Sequence, residues 1–180
     1  NGEHPERSAL LADAGGDTGI PGDPHFFLRV PEEGEYELAL QSEREGSTLT
    51  VRFEPSTTNM IDATRKSVRV IESAGKRFGY VHLWHFLSGR VADHFERALD
   101  GALKDCDGLV LDIRGRGGNV FVLERVFSRL RRKSSWLFRG RRWKQPVVLL
   151  IDENSRSAKE IFAYKFKQER LGPVVGRKTP

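Results

Sequence analysis

A chain of 180 residues with a formal charge of +5 is long enough for one domain with a real core, or for one domain and part of another. Hydrophobic residues at 38% and charged residues at 31% give a globular composition, and no apolar run approaches the roughly 20 residues needed to cross a membrane. Cys106 is the one cysteine, which excludes an internal disulfide, and no pair of histidines or cysteines has zinc-ligand spacing, so no metal and no other cofactor is expected.

Residues 1–24 are punctuated by "AGGDTGIPGDP" and are expected to be poorly ordered. From Phe26 the pattern changes. "HFFLRV", "EYELAL" and "TLTVRFEP" alternate apolar and polar residues, as short antiparallel strands do, so residues 25–58 are expected to form a small β unit. "PSTTN", Pro55 to Asn59, reads as a polar linker. Beyond it "SVRVIES", the turn "AGKR" and "FGYVHLWHF" read as a hairpin.

The remainder alternates helix and strand. "VADHFERALDGALKD" places Val91, Phe95, Leu99 and Leu103 on one helical face; "GLVLDIR" is a strand, "VFVLERVFSRLRR" a helix, "PVVLLID" a strand and Ser157–Arg170 a helix. Strands separated by helices of this length predict parallel β-α-β units and an α/β fold, which collects its active groups in loops at the carboxyl ends of the strands. Two such loops stand out, "RGRGGN" after "VLDI" and "ENSRS" after "VLLI".

In "LVLDIRGRGGN" three glycines in four positions allow a sharp turn that presents backbone N–H groups, a possible anion or oxyanion site. The spacing fails G-x-G-x-x-G and lacks the Lys-Ser/Thr ending of a phosphate loop. Asp112 and Arg114 share one side of the strand's pleat and are candidates for an ion pair that fixes the loop. Ser157 opens the last helix, where it can act as a cap with Glu160 closing a capping box, or as a nucleophile at a strand-to-helix turn. The two roles are compatible. The positive end of the helix dipole would favour negative charge forming there, and the N–H groups of Ala158 and of Gly117 or Gly118 would complete an oxyanion hole.

The order "GYVHLWHF", helix, "LVLDIRGRGGN", then "PVVLLIDENSRSAKEIFAYKFKQERLGPVVGRKT" resembles the S41 family of serine peptidases, which includes the C-terminal (tail-specific) processing peptidases and the tricorn-core-like peptidases. The resemblance runs from about Val68 to the end. It implies a β/α spiral core similar to those of crotonase and Clp protease, over residues 59–180, preceded by a partial PDZ-like unit in residues 25–58. It further implies Ser157 as nucleophile, an oxyanion hole from Gly117 or Gly118 with Ala158, a peptide or unfolded protein as substrate, and a periplasmic or extracellular setting.

The family's general base is a lysine about two dozen residues beyond the serine in one branch, and a histidine ahead of the PDZ region in the other. Both would lie outside this chain, which is therefore expected to be a fragment, truncated at its C-terminus and inactive or nearly so alone. Lys159 takes the place of a commoner small residue and favours the histidine branch. Within the chain, His82 and His85 read as packed strand residues rather than as bases; Lys159 should point round the helix away from Ser157, and Lys178 does not match the family lysine.

An alternative is a noncatalytic peptide- or nucleic-acid-binding module. Arg129 to Lys144, "RLRRKSSWLFRGRRWK", holds eight basic residues and no acidic one, with Trp136, Phe138 and Trp143 between them, a pattern that can bind single strands. A solvated helix end followed by an edge strand and a turn at Gly140 is the reading preferred here, because no nucleic-acid fold motif accompanies the charge.

Overall fold

The computed structural model describes residues 11–13, 26–28, 34–41, 47–56, 58–115, 117–131 and 142–179. They belong to two compact units, Asn1–Thr58 and Asn59–Pro180. In the first, β1 (Leu11–Asp13) pairs antiparallel with β2 (Phe26–Leu28), and β3 (Tyr36–Gln41) with β4 (Thr48–Phe53). The strands expected from alternation thus form two separate ladders, one completed by β1 from the stretch expected to be poorly ordered. In the β3–β4 hairpin, Tyr36 stacks on its cross-strand partner Phe53 with ring centroids 5.8 Å apart, and Arg52 pairs with Glu37 at 2.8 Å.

The second unit begins with α1 (Met60–Ser67), a helix that no apolar periodicity announces. Asn59 caps it by accepting the Asp62 N–H at 2.9 Å, and this cap lets a short, polar stretch end the linker as a helix. The expected hairpin follows as β5 (Arg69–Ser73) and β6 (Lys76–His82), turning at Ala74 and Gly75. Then come α2 (Gly89–Asp100), β7 (Gly108–Asp112), α3 (Val120–Ser128), β8 (Val147–Ile151), α4 (Ala158–Gln168) and β9 (Val174–Gly176).

The sheet runs in the order β5-β6-β7-β8-β9, with β5 antiparallel to β6 and every later pair parallel. Each new strand is added on the same side of the last one, so crossovers of one hand stack the helices on one face of the sheet. Burial agrees. Gly79, Val81, Leu109, Leu111, Val147 and Leu149 are buried, while Tyr80, His82, Val110 and Val148 on the opposite pleat face are half-buried.

The core joins these strands to Phe95 and Leu99 of α2, Val126 and Phe127 of α3, and Phe162 and Phe166 of α4. Phe162 is wholly buried between Phe127 (5.2 Å, edge-on), Phe86 (5.7 Å) and Phe166 (6.4 Å). Truncating such a ring to alanine typically costs about 3–5 kcal/mol, so this cluster anchors α4 against α3 and the bend after β6. Strict alternation along "YVHLWHF" would put Phe86 on the face of Tyr80, His82 and Trp84, but the strand ends at His82, and the chain bends to sink Phe86 into the core while Trp84 stays exposed.

Candidate active site

His82, Asp112 and Leu150 stand level across β6, β7 and β8, so the loops after them leave the sheet from one edge. Asp112 organises that edge. It is completely buried, yet its carboxylate accepts the Arg114 backbone N–H (3.0 Å), a forked pair from the Arg114 guanidinium (Nε 3.0 Å, Nη2 2.7 Å) and the Tyr80 hydroxyl (2.8 Å). Burial alone would raise its pKa, but the bonds from Arg114, helped by Tyr80 and His82, hold it below the usual carboxylate range. The expected Asp112–Arg114 pair is therefore present.

The glycine turn follows directly and is gripped at both ends. The Arg114 carbonyl accepts from Lys159 Nζ at 3.0 Å and lies 3.2 Å from His82 Nε2; the Gly115 N–H donates to Asp152 Oδ1 at 2.9 Å. Gly115 has φ +82°, which a side chain would make costly. Farther on, the Phe86 N–H donates to the Gly117 carbonyl and the Asn119 N–H to the Phe86 carbonyl, both at 3.0 Å. Among the described residues, the N–H groups of Gly117 and Gly118 meet no protein acceptor.

On the other side of the turn stands Ser157. It is exposed, with φ +56° and ψ −122°, a conformation that a residue with a Cβ adopts at a cost of about 1–3 kcal/mol. Its N–H donates to the Glu160 carboxylate at 2.6 Å, the reach-back half of the capping box. The Ala158 N–H has no protein acceptor among the described residues. The two loops are in contact: a Cβ added to Gly117 would lie 2.2 Å from the Arg156 carbonyl oxygen and 3.0 Å from the Ser157 Cβ, and one on Gly118 would strike the Phe86 backbone at 2.3 Å. Only glycine permits this approach.

Ser157, Ala158, Gly117 and Gly118, singled out on the sequence, are thus neighbours in space. Their surroundings held surprises. Ser155, two residues before Ser157, is fully buried, its hydroxyl 2.8 Å from Asp152 and 3.2 Å from the Ile113 carbonyl, so it is occupied in holding the loop. Lys159, expected to point round the helix away from Ser157, is fully buried, and its Nζ donates to the carbonyls of Trp84 and Arg114, each at 3.0 Å. Burial pushes its pKa down to about 7, against the pull of Asp152 and Asp112.

His82 stacks on Trp84 (4.1 Å between centroids) and His85 Nδ1 accepts the Leu87 N–H at 2.9 Å, as packed residues do; burial lowers both pKa values, with Lys159 adding to the effect. The basic stretch Arg129 to Lys144 lies outside the described residues at 132–141. At its two ends Trp143 is buried and Arg129, also buried, is bonded to Asp100, which leaves neither open to a nucleic acid. Among the described residues no cluster of three or more metal-ligating side chains occurs, and no helix is long and apolar enough to cross a membrane.

The model of peptidase family S41 matches residues 77–180. No curated protein sequence matches the chain. Among solved structures the chain is similar to the photosystem II D1 C-terminal processing protease, with 22% identity and a TM-score of 0.51 over 84% of this chain and 46% of that one. It is similar to mature CPAF, with 11% identity and a TM-score of 0.53 over 84% and 54% of the two chains. A third likeness is to a Bacteroides fragilis protein described as an S41 protease, with 17% identity and a TM-score of 0.56 over 82% and 49%. The chain spans about half the length of these structures, and what it shares with them is the mixed α/β fold with its parallel sheet.

Proposed function

The chain belongs to peptidase family S41, and from that premise we propose that it carries the serine centre of a peptide-bond hydrolase. Ser157 Oγ attacks the carbonyl carbon of a peptide or unfolded protein while its proton passes to a base. The carbonyl oxygen, now negative, takes hydrogen bonds from the Ala158 N–H and from that of Gly117 or Gly118, each donor worth roughly 3–4 kcal/mol of transition-state stabilisation. The C–N bond then breaks, the amine leaves with the proton, and water releases the acyl group from Ser157.

One observation carries this reading: an exposed serine in a strained backbone conformation, with a glycine that cannot hold a side chain against it. Strain of this kind collects at functional sites, and a cap alone has no need of it. The base is taken to come from outside this sequence, as a lysine or a histidine according to branch. The core is read as a β/α spiral, and residues 25–58 as the later strands of a PDZ-like unit.

Fluorophosphonate labelling tests the proposal. The intact protein should be labelled at Ser157, and Ser157→Ala should abolish both labelling and peptide cleavage; cleavage that survives Ser157→Ala would defeat it. The 180-residue chain alone should react slowly, since an oxyanion hole without a base retains only roughly a thousandfold advantage over water. Rapid labelling of that chain would show that a base is already present.

A further inference from the structure

Lysine is almost never fully buried without a charged partner, yet among the described residues the Lys159 ammonium donates to two backbone carbonyls and to no carboxylate. We infer that Lys159 is a positioning residue of the serine centre, whose side chain ties the segment that carries the nucleophile to the glycine turn and to the bend that clasps that turn. The inference rests on the serine-peptidase reading above.

The first segment is its own. Lys159 stands two residues after Ser157 and one after Ala158, in the opening turn of α4. The second is the glycine turn. The Arg114 carbonyl that Lys159 holds belongs to the same planar peptide unit as the Gly115 N–H held by Asp152, so that plane is fixed from both edges before the turn begins. The third is the bend after β6, where Lys159 holds the Trp84 carbonyl. Two residues on, Phe86 supplies the N–H and C=O that clasp Gly117 and Asn119. The Nζ also lies 5.8 Å from the centre of the Phe86 ring. With Lys159 in place, the N–H groups of Gly117 and Gly118 cannot swing independently of the Ala158 N–H. A merely structural lysine could anchor α4 to any part of the sheet; this one anchors it to the two strand ends that support the turn.

The test uses the intact protein and Lys159→Met, which keeps the apolar stem and removes the donors. We expect kcat for peptide cleavage to fall about 10- to 100-fold with KM changed less than about threefold, and Ser157 labelling by a fluorophosphonate to slow in proportion, because displacement of a catalytic group by about 1 Å costs that much. An unchanged kcat, or a loss confined to KM, overturns the inference. Should the variant fail to fold, wild-type protein carrying 15N-labelled lysine supplies the second measurement. Phosphonylation of Ser157 fills the oxyanion hole, and the Lys159 Nζ resonance should shift when it does; a resonance that does not move overturns the inference as well. Failure of the wild-type protein to label at Ser157 would instead defeat the serine-peptidase reading on which the inference rests.

Discussion

The end of β7 and the start of α4 each bury a charged side chain completely, and the two are treated in opposite ways. Asp112 gathers a guanidinium, a backbone N–H and a phenol, and its carboxyl is held below its usual pKa range. Among the described residues Lys159 has two carbonyls as its hydrogen-bond partners, and burial drives its pKa down to about 7. The first region stabilises its own ion; the second keeps a group in a state that it resists, next to a serine with a strained backbone. Cost is therefore concentrated on the α4 side, where the proposed chemistry is, and the β7 side serves as its rigid footing.

The pH dependence of stability should expose the contrast most fully. Lys159 loses its proton at about 7 when folded and near 10.5 when unfolded. Between those values the unfolded chain binds more protons, so wild-type stability rises with pH across that window, by up to about 1.4 kcal/mol per pH unit. Lys159→Met lacks this slope. Asp152, Asp112, His82 and His85 face the amine from the neighbouring segments and are present in both proteins. Urea unfolding of the pair from pH 6 to pH 10 should show the difference growing in favour of wild type; parallel curves would mean that the amine is not held against its preference. Asp112 has the opposite window. Its stabilisation is full above the ordinary carboxyl pKa of about 4 and is lost as pH falls through the lower folded value.

Arg114→Met attacks the matched side. It leaves the Asp112 carboxylate buried with Tyr80 as its remaining side-chain hydrogen-bond donor among the described residues, and stability should drop by about 3 kcal/mol, a value at the low end for broken buried pairs because the guanidinium is half exposed. Asp112→Asn, which removes the buried charge, should cost less. If the two variants prove equal in urea unfolding, the carboxylate is not the group that needs its partner.

Gly117→Ala strikes where the two regions touch. The added methyl would lie 2.2 Å from the Arg156 carbonyl oxygen, an overlap that the backbone must relieve by moving, at about 2 kcal/mol of stability and with a loss of about a hundredfold in kcat. Gly115→Ala is the control. Its Cβ meets nothing within 4 Å, so only the φ of +82° resists it, at about 1–2 kcal/mol, and kcat should fall far less. Equal losses of activity would show that the contact with Ser157 is incidental.

Much of this contrast was legible in the sequence. Apolar periodicity gave α2, α3, α4 and the strands between them, and the i, i+2 spacing of Asp112 and Arg114 gave their pair. The closeness of "GRGGN" to "SRSAKE" followed from both loops leaving carboxyl ends of adjacent parallel strands. What escaped was whatever tertiary contact decides against composition. Helical spacing turns Lys159 away from Ser157 but does not show that it ends fully buried beneath the strand ends; Trp143 looks like a stacking platform until it is seen to be buried. Phe86 had the right parity for one face, and the bend after His82 placed it on the other. For α1 a signal was present, Asn59 with Asp62 three residues on, but so short and polar a helix leaves no apolar stripe to read.

The smallest effect concerns the strained serine itself. Ser157→Ala and Ser157→Gly both remove the hydroxyl, so both should abolish labelling and cleavage, and the comparison between them isolates the backbone. At φ +56° alanine keeps its Cβ against the following carbonyl, whereas glycine adopts the conformation without penalty. Glycine also loosens the unfolded chain, which offsets part of the gain. The remainder should leave Ser157→Gly more stable than Ser157→Ala by about 1 kcal/mol, a difference measurable by urea unfolding. At an ordinary helix cap the order would be reversed or flat, so an alanine variant as stable as the glycine one would remove the strain on which the functional reading of Ser157 depends.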